Sequence, residues 1–423
     1  MAAEPEIVTK PELPGKYDII PIHASDIAAF KRCRRYWDWS SPTRTNLRRK
    51  VHIYGINFPL WFGSGIHYAL EMYYDPILQR DPVEAFITWF TYQWEGGVVT
   101  EDWLERTYDI NPVKIADNGV SIDVATMTAI EYSQPLYRIQ GLRDLHPDPD
   151  EEEFFTHKEL GIGMMNFYKE YAPKHDSFRV IASESSFSVP LGFEEIDRRE
   201  ESPNYGKRIE VHARGKRDAV IQDLETEQFG IFDHKSKTKI DDAYFASLEK
   251  DEQVTNYMWA SQVEAEVYGL PYTTISYVIH QALRKAYPKP PTPLSNSTPS
   301  LNRSEESTTA EMFEKYVRDN GLVPWFEGTP KAQAYYNYLV EKGDEQFIVR
   351  NRVYRNTAEL HNQGEHIKAV AREMLDPNVA VYPHPTGDYL CINCGFRAPC
   401  IAKDDGSDYE YIIKDGYELN RDR

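Results

Sequence analysis

The chain has 423 residues, with 41% hydrophobic and 13% aromatic content and a formal net charge of −19. This composition can build an ordinary globular core, and the length allows one large domain with insertions or two domains. No stretch approaches the ~20 apolar residues of a membrane span, and segment 1–17 lacks an apolar signal core, so a cytoplasmic, membrane-free protein is expected.

In chain order, 25–39 reads as a helix capped by Ser25, with Ile27, Phe30, Cys33 and Trp37 at helical spacing. A second helix is expected over 64–78. Residues 82–175 read as mainly helical, with an acidic run at 148–153. The pattern then changes to strands over 178–190, 208–222 and 228–236, followed by a long helix over 242–268 and a strand over 272–280. Residues 286–304, rich in Pro and Ser, read as a flexible linker. Two or three helices fill 306–376. The expected organisation is an N-terminal segment 1–60, a core 61–285 with a helical insertion at 82–175, the linker, a helical region 305–380 and a cysteine-bearing end 381–423. There is no phosphate-binding loop of the ATP-driven motor type.

An acidic chain is an unusual nucleic-acid binder, but local charge decides what a groove attracts. Basic residues cluster at Lys31, Arg32, Arg34 and Arg35, at Arg44, Arg48, Arg49 and Lys50, and at Lys235, Lys237 and Lys239. Taken singly, each cluster reads as a solvated face.

Arg214-Gly-Lys-Arg-Asp218 and Phe232-Asp233-His234-Lys235 lie on two strands joined by a short turn, which should pair as a hairpin. Strand alternation points Asp233 and Lys235 the same way. Two carboxylates and an amine converging at a sheet suit phosphodiester hydrolysis. Hard Mg²⁺ or Mn²⁺ ions prefer carboxylate oxygen, and an ammonium can stabilise developing negative charge. His67 lies in a Gly-rich helical entry, Gly63-Ser-Gly-Ile-His67. Gln253 and Tyr257, four apart, share one helix face. Each of these features alone is better explained by an ordinary surface or core role.

Their order is informative. His67, the G-x-x-D of Asp218, the D-x-K of Asp233 and Lys235, and the Q-x-x-x-Y of Gln253 and Tyr257 together resemble the RecB-like branch of the PD-(D/E)XK nucleases. The resemblance implies an α/β restriction-endonuclease-like core, a mixed central sheet flanked by helices, with helical insertions. It implies that His67, Asp218, Asp233 and the backbone carbonyl of His234 hold Mg²⁺ or Mn²⁺. Catalysis would fall to Asp218, Asp233, Lys235, Gln253 and Tyr257. Glu184 matches an acid present in some members.

Cys391-x-x-Cys394-x₅-Cys400 can form one metal centre, with Cys33 as the available fourth thiolate. Spacing leaves zinc and an iron–sulfur cluster both open. One upstream cysteine and three downstream also resemble the iron–sulfur subset of these nucleases, which includes AddB and CRISPR-associated exonucleases. That likeness implies a 4Fe-4S cluster stapling the N- and C-terminal regions. It further implies a DNA exonuclease of recombination, repair or phage DNA metabolism, with DNA ends or single strands as substrate and a possible helicase or recombination partner. The alternative is a catalytically silent nuclease-fold scaffold that binds DNA or a partner. Trp89, Trp94 and Trp103 are candidates for base stacking or for core.

Overall fold

The computed structural model describes residues 14–15, 17–98, 138–145, 148–199, 202–270, 274–303, 307–384 and 389–420. Trp103 lies outside the described residues. Among them, no helix is long and apolar enough to cross a membrane.

The centre is a six-stranded mixed sheet: β1 (Ile19–His23), β2 (Phe178–Ile196), β3 (Arg208–Asp223), β4 (Phe229–Lys237), β5 (Ile275–Arg284) and β6 (Ile348–Val353). β4 and β5 pair in parallel, and β6 runs antiparallel to β5. Long β3 organises the rest. One edge pairs with β2; the other meets β1 in parallel at 210–214 and β4 antiparallel at 219–222. Two strands therefore share one edge of β3 and separate around 215–218.

Apolar side chains alternate through this sheet into two cores. Phe232, Ile279 and Ile221 face α3 (Phe58–Tyr74), α4 (Pro82–Glu95) and α5 (Glu151–His175). Ile231, Val278 and Val220 pack with α1 (Ala24–Arg32), α7 (Glu252–Tyr268) and α8 (Thr357–Leu375). Trp89 and Trp94 are buried in the first core, which removes them as base-stacking candidates.

Several local expectations need correction. The 25–39 helix is two, α1 and α2 (Arg34–Ser40), because Cys33 is extended at φ −166°. Its Sγ accepts the Tyr36 N–H at 3.4 Å and so caps α2. The N-cap of α1 is His23 rather than Ser25. The 242–268 helix is also two, α6 (Asp242–Leu248) and α7, because Asp251 starts the second by accepting the Val254 N–H at 3.0 Å. Strand β6 lies in a region read as all helical. Its arginines disguised it: Arg350 pairs with Asp176 at 2.7 Å and lies over Phe232, while Arg352 pairs with Asp223 at 2.6 Å. Residues 286–303 fold back on themselves through a Pro293–Pro299 bridge.

Asp223 closes the β3–β4 turn, accepting the Thr226 and Glu225 N–H groups at 2.9 and 3.0 Å. The Thr226 N–H and the Arg352 guanidinium hold its carboxyl down at about 2. A folded value below the ordinary carboxylate range stabilises the fold above about pH 4, and that contribution fades as pH falls through about 2. Asp223→Asn is expected to cost about 1–2 kcal/mol near neutral pH in urea unfolding. The gap from the native chain should close as the pH approaches 2.

The N- and C-terminal regions meet among the described residues. Leu47–Arg49 pairs antiparallel with Tyr417–Leu419, beside a cluster of Trp39, Phe396 and Tyr417. Much of the N-terminal basic cluster is engaged there or nearby. Arg44 pairs with Asp38, Arg48 with Glu418, Arg34 with Glu373, Arg35 with Asp404 and Lys31 with Glu252. These cations act as structural ties.

Candidate active site

The fork in the sheet positions the acids. Asp218 lies on β3 where β1 has ended and β4 has just begun to pair. Asp233 lies on β4, one residue beyond Phe232, which pairs with Ala219. Gly215 is required upstream because a Cβ there would sit 2.5 Å from the Phe187 ring. The neighbouring Arg217 is fully buried and ion-pairs with Glu264 of α7, tying the strand to that helix.

The Asp218 carboxylate accepts the His234 N–H at 2.7 Å and faces His67 Nδ1 at 3.5 Å. Asp233 is 1% exposed, and its Oδ1 accepts from Lys235 Nζ at 2.7 Å. The strand alternation of Asp233 and Lys235 thus appears as a direct ion pair. Gln253 and Tyr257 share their helix face and bond each other, the Gln253 amide donating to the Tyr257 hydroxyl at 2.6 Å. Glu184 sits on β2 in left-handed backbone, φ +43°, and ion-pairs with Lys216. A non-glycine residue in this conformation stores strain that its surroundings must hold.

The electrostatics is that of crowded acids in a dry site. Burial would raise the Asp218 pKa, but the His67 charge overrides it and holds it well below the usual range. Burial raises Asp233, and neither Lys235 nor His67 fully offsets it. Burial would lower Lys235, yet Asp233 and Asp218 hold it above its ordinary value. Burial would likewise lower His67, but Asp218 raises it. His234 is pushed down to about 3 by burial and is neutral.

Sequence reading missed a third histidine. His280 of β5 is 3% exposed and stands level with Asp233 in the parallel ladder. Its Nε2 lies 3.3 Å from Asp233 Oδ2, and its Nδ1 lies 2.6 Å from the Tyr244 hydroxyl. It closes an apolar strand in the sequence, and only the β4–β5 register reveals its neighbour. Gln281, next to it, donates to His234 Nδ1 at 2.9 Å from the other face of the sheet.

Divalent-cation chemistry fits the residues present. Asp233 Oδ2 is buried without a hydrogen bond, facing the His280 imidazole at 3.3 Å, and the like charge of Asp218 acts on it. Among the described residues, no group of three or more His, Cys, Asp or Glu side chains is set to hold an ion by itself. Here the Lys235 ammonium and the His67 imidazole sit against the carboxylates.

At the chain ends, Cys33, Cys394 and Cys400 are close enough that their charges interact. Cys394 accepts the Phe396 N–H at 3.4 Å, and Cys400 accepts from Arg35 at 3.3 Å. Burial raises the Cys394 and Cys400 thiols. A bound cation would reverse that direction, since metal-ligating thiols are deprotonated.

A forked mixed sheet carrying a half-buried and a fully buried acid, with a lysine two residues after the second, is the frame of a nuclease. Residues 139–401 match the family model of the PD-(D/E)XK nuclease superfamily, and the chain belongs to that superfamily. Its members are usually metal-dependent nucleases that use divalent ions such as Mg²⁺ or Mn²⁺, with DNA as the substrate the fold implies. The match spans both acids, Lys235, Gln253, Tyr257 and the three downstream cysteines; His67 and Cys33 lie upstream of it. No curated protein matches the chain.

Proposed function

We propose that this chain is a Mg²⁺- or Mn²⁺-dependent deoxyribonuclease acting as an exonuclease, of the iron–sulfur RecB-like kind. The observation that carries the reading is the convergence of Asp218 and Asp233 at the fork, with Lys235 bonded to the second acid. Asp218, Asp233, the His234 carbonyl and His67 would hold the ion. A bound divalent ion would supply a nucleophilic water and charge for the scissile phosphate.

The chain's own residues supply the rest. Lys235 keeps its proton between the two carboxylates and offers an ammonium to the developing phosphorane charge. Tyr257 keeps its phenolic proton, since burial raises its pKa, and can donate it to a phosphate oxygen. Gln253 orients that hydroxyl. Buried walls around Asp233 keep bulk water from screening these charges.

Cys33, Cys391, Cys394 and Cys400 would hold a 4Fe-4S cluster. The N–H donors on Cys33 and Cys394 and the Arg35 guanidinium on Cys400 suit thiolates of such a centre. Its role would be to staple the two chain ends. The cellular role in this reading is trimming DNA ends in recombination, repair or phage DNA metabolism, alone or with a helicase partner.

The test uses anaerobically purified protein and end-labelled single- and double-stranded DNA, with Mn²⁺, Mg²⁺ or EDTA. Metal-dependent digestion is expected, and the label reports polarity. Lys235→Ala should slow cleavage by about 100-fold or more while leaving the far-ultraviolet circular dichroism unchanged. An equally fast Lys235→Ala variant would overturn its assigned role. A folded native chain that binds but never cuts DNA would favour the scaffold reading.

A further inference from the structure

Most of the cations in the basic clusters of the sequence are tied to carboxylates, and Arg32 and Lys50 to backbone carbonyls. Arg214 is different. It lies on β3, half-buried, and among the described residues it has neither an ion-pair nor a hydrogen-bond partner for its guanidinium. Burial lowers its pKa with no acid to oppose the effect. An unpaired cation withdrawn from water is unfavourable unless an anion completes it.

Its position indicates which anion. β3 pairs without a bulge from Arg214 to Ala219, so Arg214, Lys216 and Asp218 line one face of the strand. They are spaced by steps of roughly 6.6 Å. That step is close to the separation of neighbouring phosphates on one nucleic-acid strand. Arg214 also marks one lip of the fork, where β1 ends opposite it at His23, and Asp218 marks the other. Lys216, between them, is partly exposed and ion-pairs with Glu184.

We propose that Arg214 is a phosphate-binding residue that holds the nucleic-acid strand two phosphates away from the one being cut, with the strand running along β3 through Lys216 to Asp218. This rests on the nuclease reading and adds a track to it. The ligand class is a single-stranded phosphodiester backbone, gripped without regard to base identity.

The experiment is fluorescence anisotropy with a 5′-labelled oligo-dT of about 20 nucleotides in EDTA, where no cutting occurs, over a series of salt concentrations. Arg214→Gln should weaken binding about 10-fold and reduce the slope of log K against log[salt] by about 0.7, the value for one single-strand phosphate contact. Arg214→Lys should keep the slope. The melting temperature of Arg214→Gln should stay level or rise, because an unpaired half-buried charge is removed. Unchanged affinity and slope in Arg214→Gln, or weaker binding accompanied by a lower melting temperature, would overturn the assignment and leave the nuclease reading intact. A native chain that neither binds nor cuts the oligonucleotide would overturn both.

Discussion

Asparagine at position 233 is expected to reduce metal-dependent DNA cleavage by roughly 1000-fold or more. The substitution keeps the volume of a fully packed position and removes only the charge. Asp233 is the acid with a buried oxygen that makes no hydrogen bond, and it is the acid that Lys235 bonds. Its loss would therefore weaken the proposed ion's seat and free the ammonium at once. Single-turnover digestion of end-labelled DNA in Mn²⁺ measures the first effect. Thermal melting with and without Mn²⁺ separates metal binding from chemistry. At Mn²⁺ about 100 times its dissociation constant, the native chain should gain about 2.7 kcal/mol, and Asp233→Asn close to none. Cleavage at the native rate by Asp233→Asn would remove this carboxylate from the site altogether.

Cys33→Ser is expected to discharge the proposed iron–sulfur cluster and lower the melting temperature by about 10 °C. The choice of serine isolates the thiolate. Cys33 also caps α2 through its Sγ, and a serine hydroxyl can accept the same Tyr36 N–H. What would disappear is the proposed cluster's tie between the N-terminal helices and the segment carrying Cys394 and Cys400. The β-pairing of Leu47–Arg49 with Tyr417–Leu419 and the Trp39–Phe396–Tyr417 cluster remain, so the ends should loosen without the central sheet unfolding. Iron and sulfide analysis with visible absorbance reads the loss. A colourless native protein containing one equivalent of zinc would overturn the cluster, and a Cys33→Ser protein that keeps its iron would remove Cys33 from the ligand set.

The sequence by itself determined the pieces governed by local periodicity. The hairpin of Asp218 and Asp233 was legible because two alternating strands flank a short polar turn. The shared face of Gln253 and Tyr257 was legible because helical geometry repeats every few residues.

Tertiary structure decided what depends on partners far away in the chain. His280 stands beside Asp233 because β5 returns parallel to β4 after the α6–α7 crossover, a register no local pattern encodes. β6 was hidden because Arg350 and Arg352 look like solvent-facing residues until Asp176 and Asp223 are brought against them. The basic clusters looked like a nucleic-acid surface, yet folding pairs most of them with acids. Arg214, inconspicuous in the sequence, was left without an acid. A charge's role is set by whether folding supplies its counter-charge, and that is a property of three-dimensional neighbours rather than of sequence neighbours.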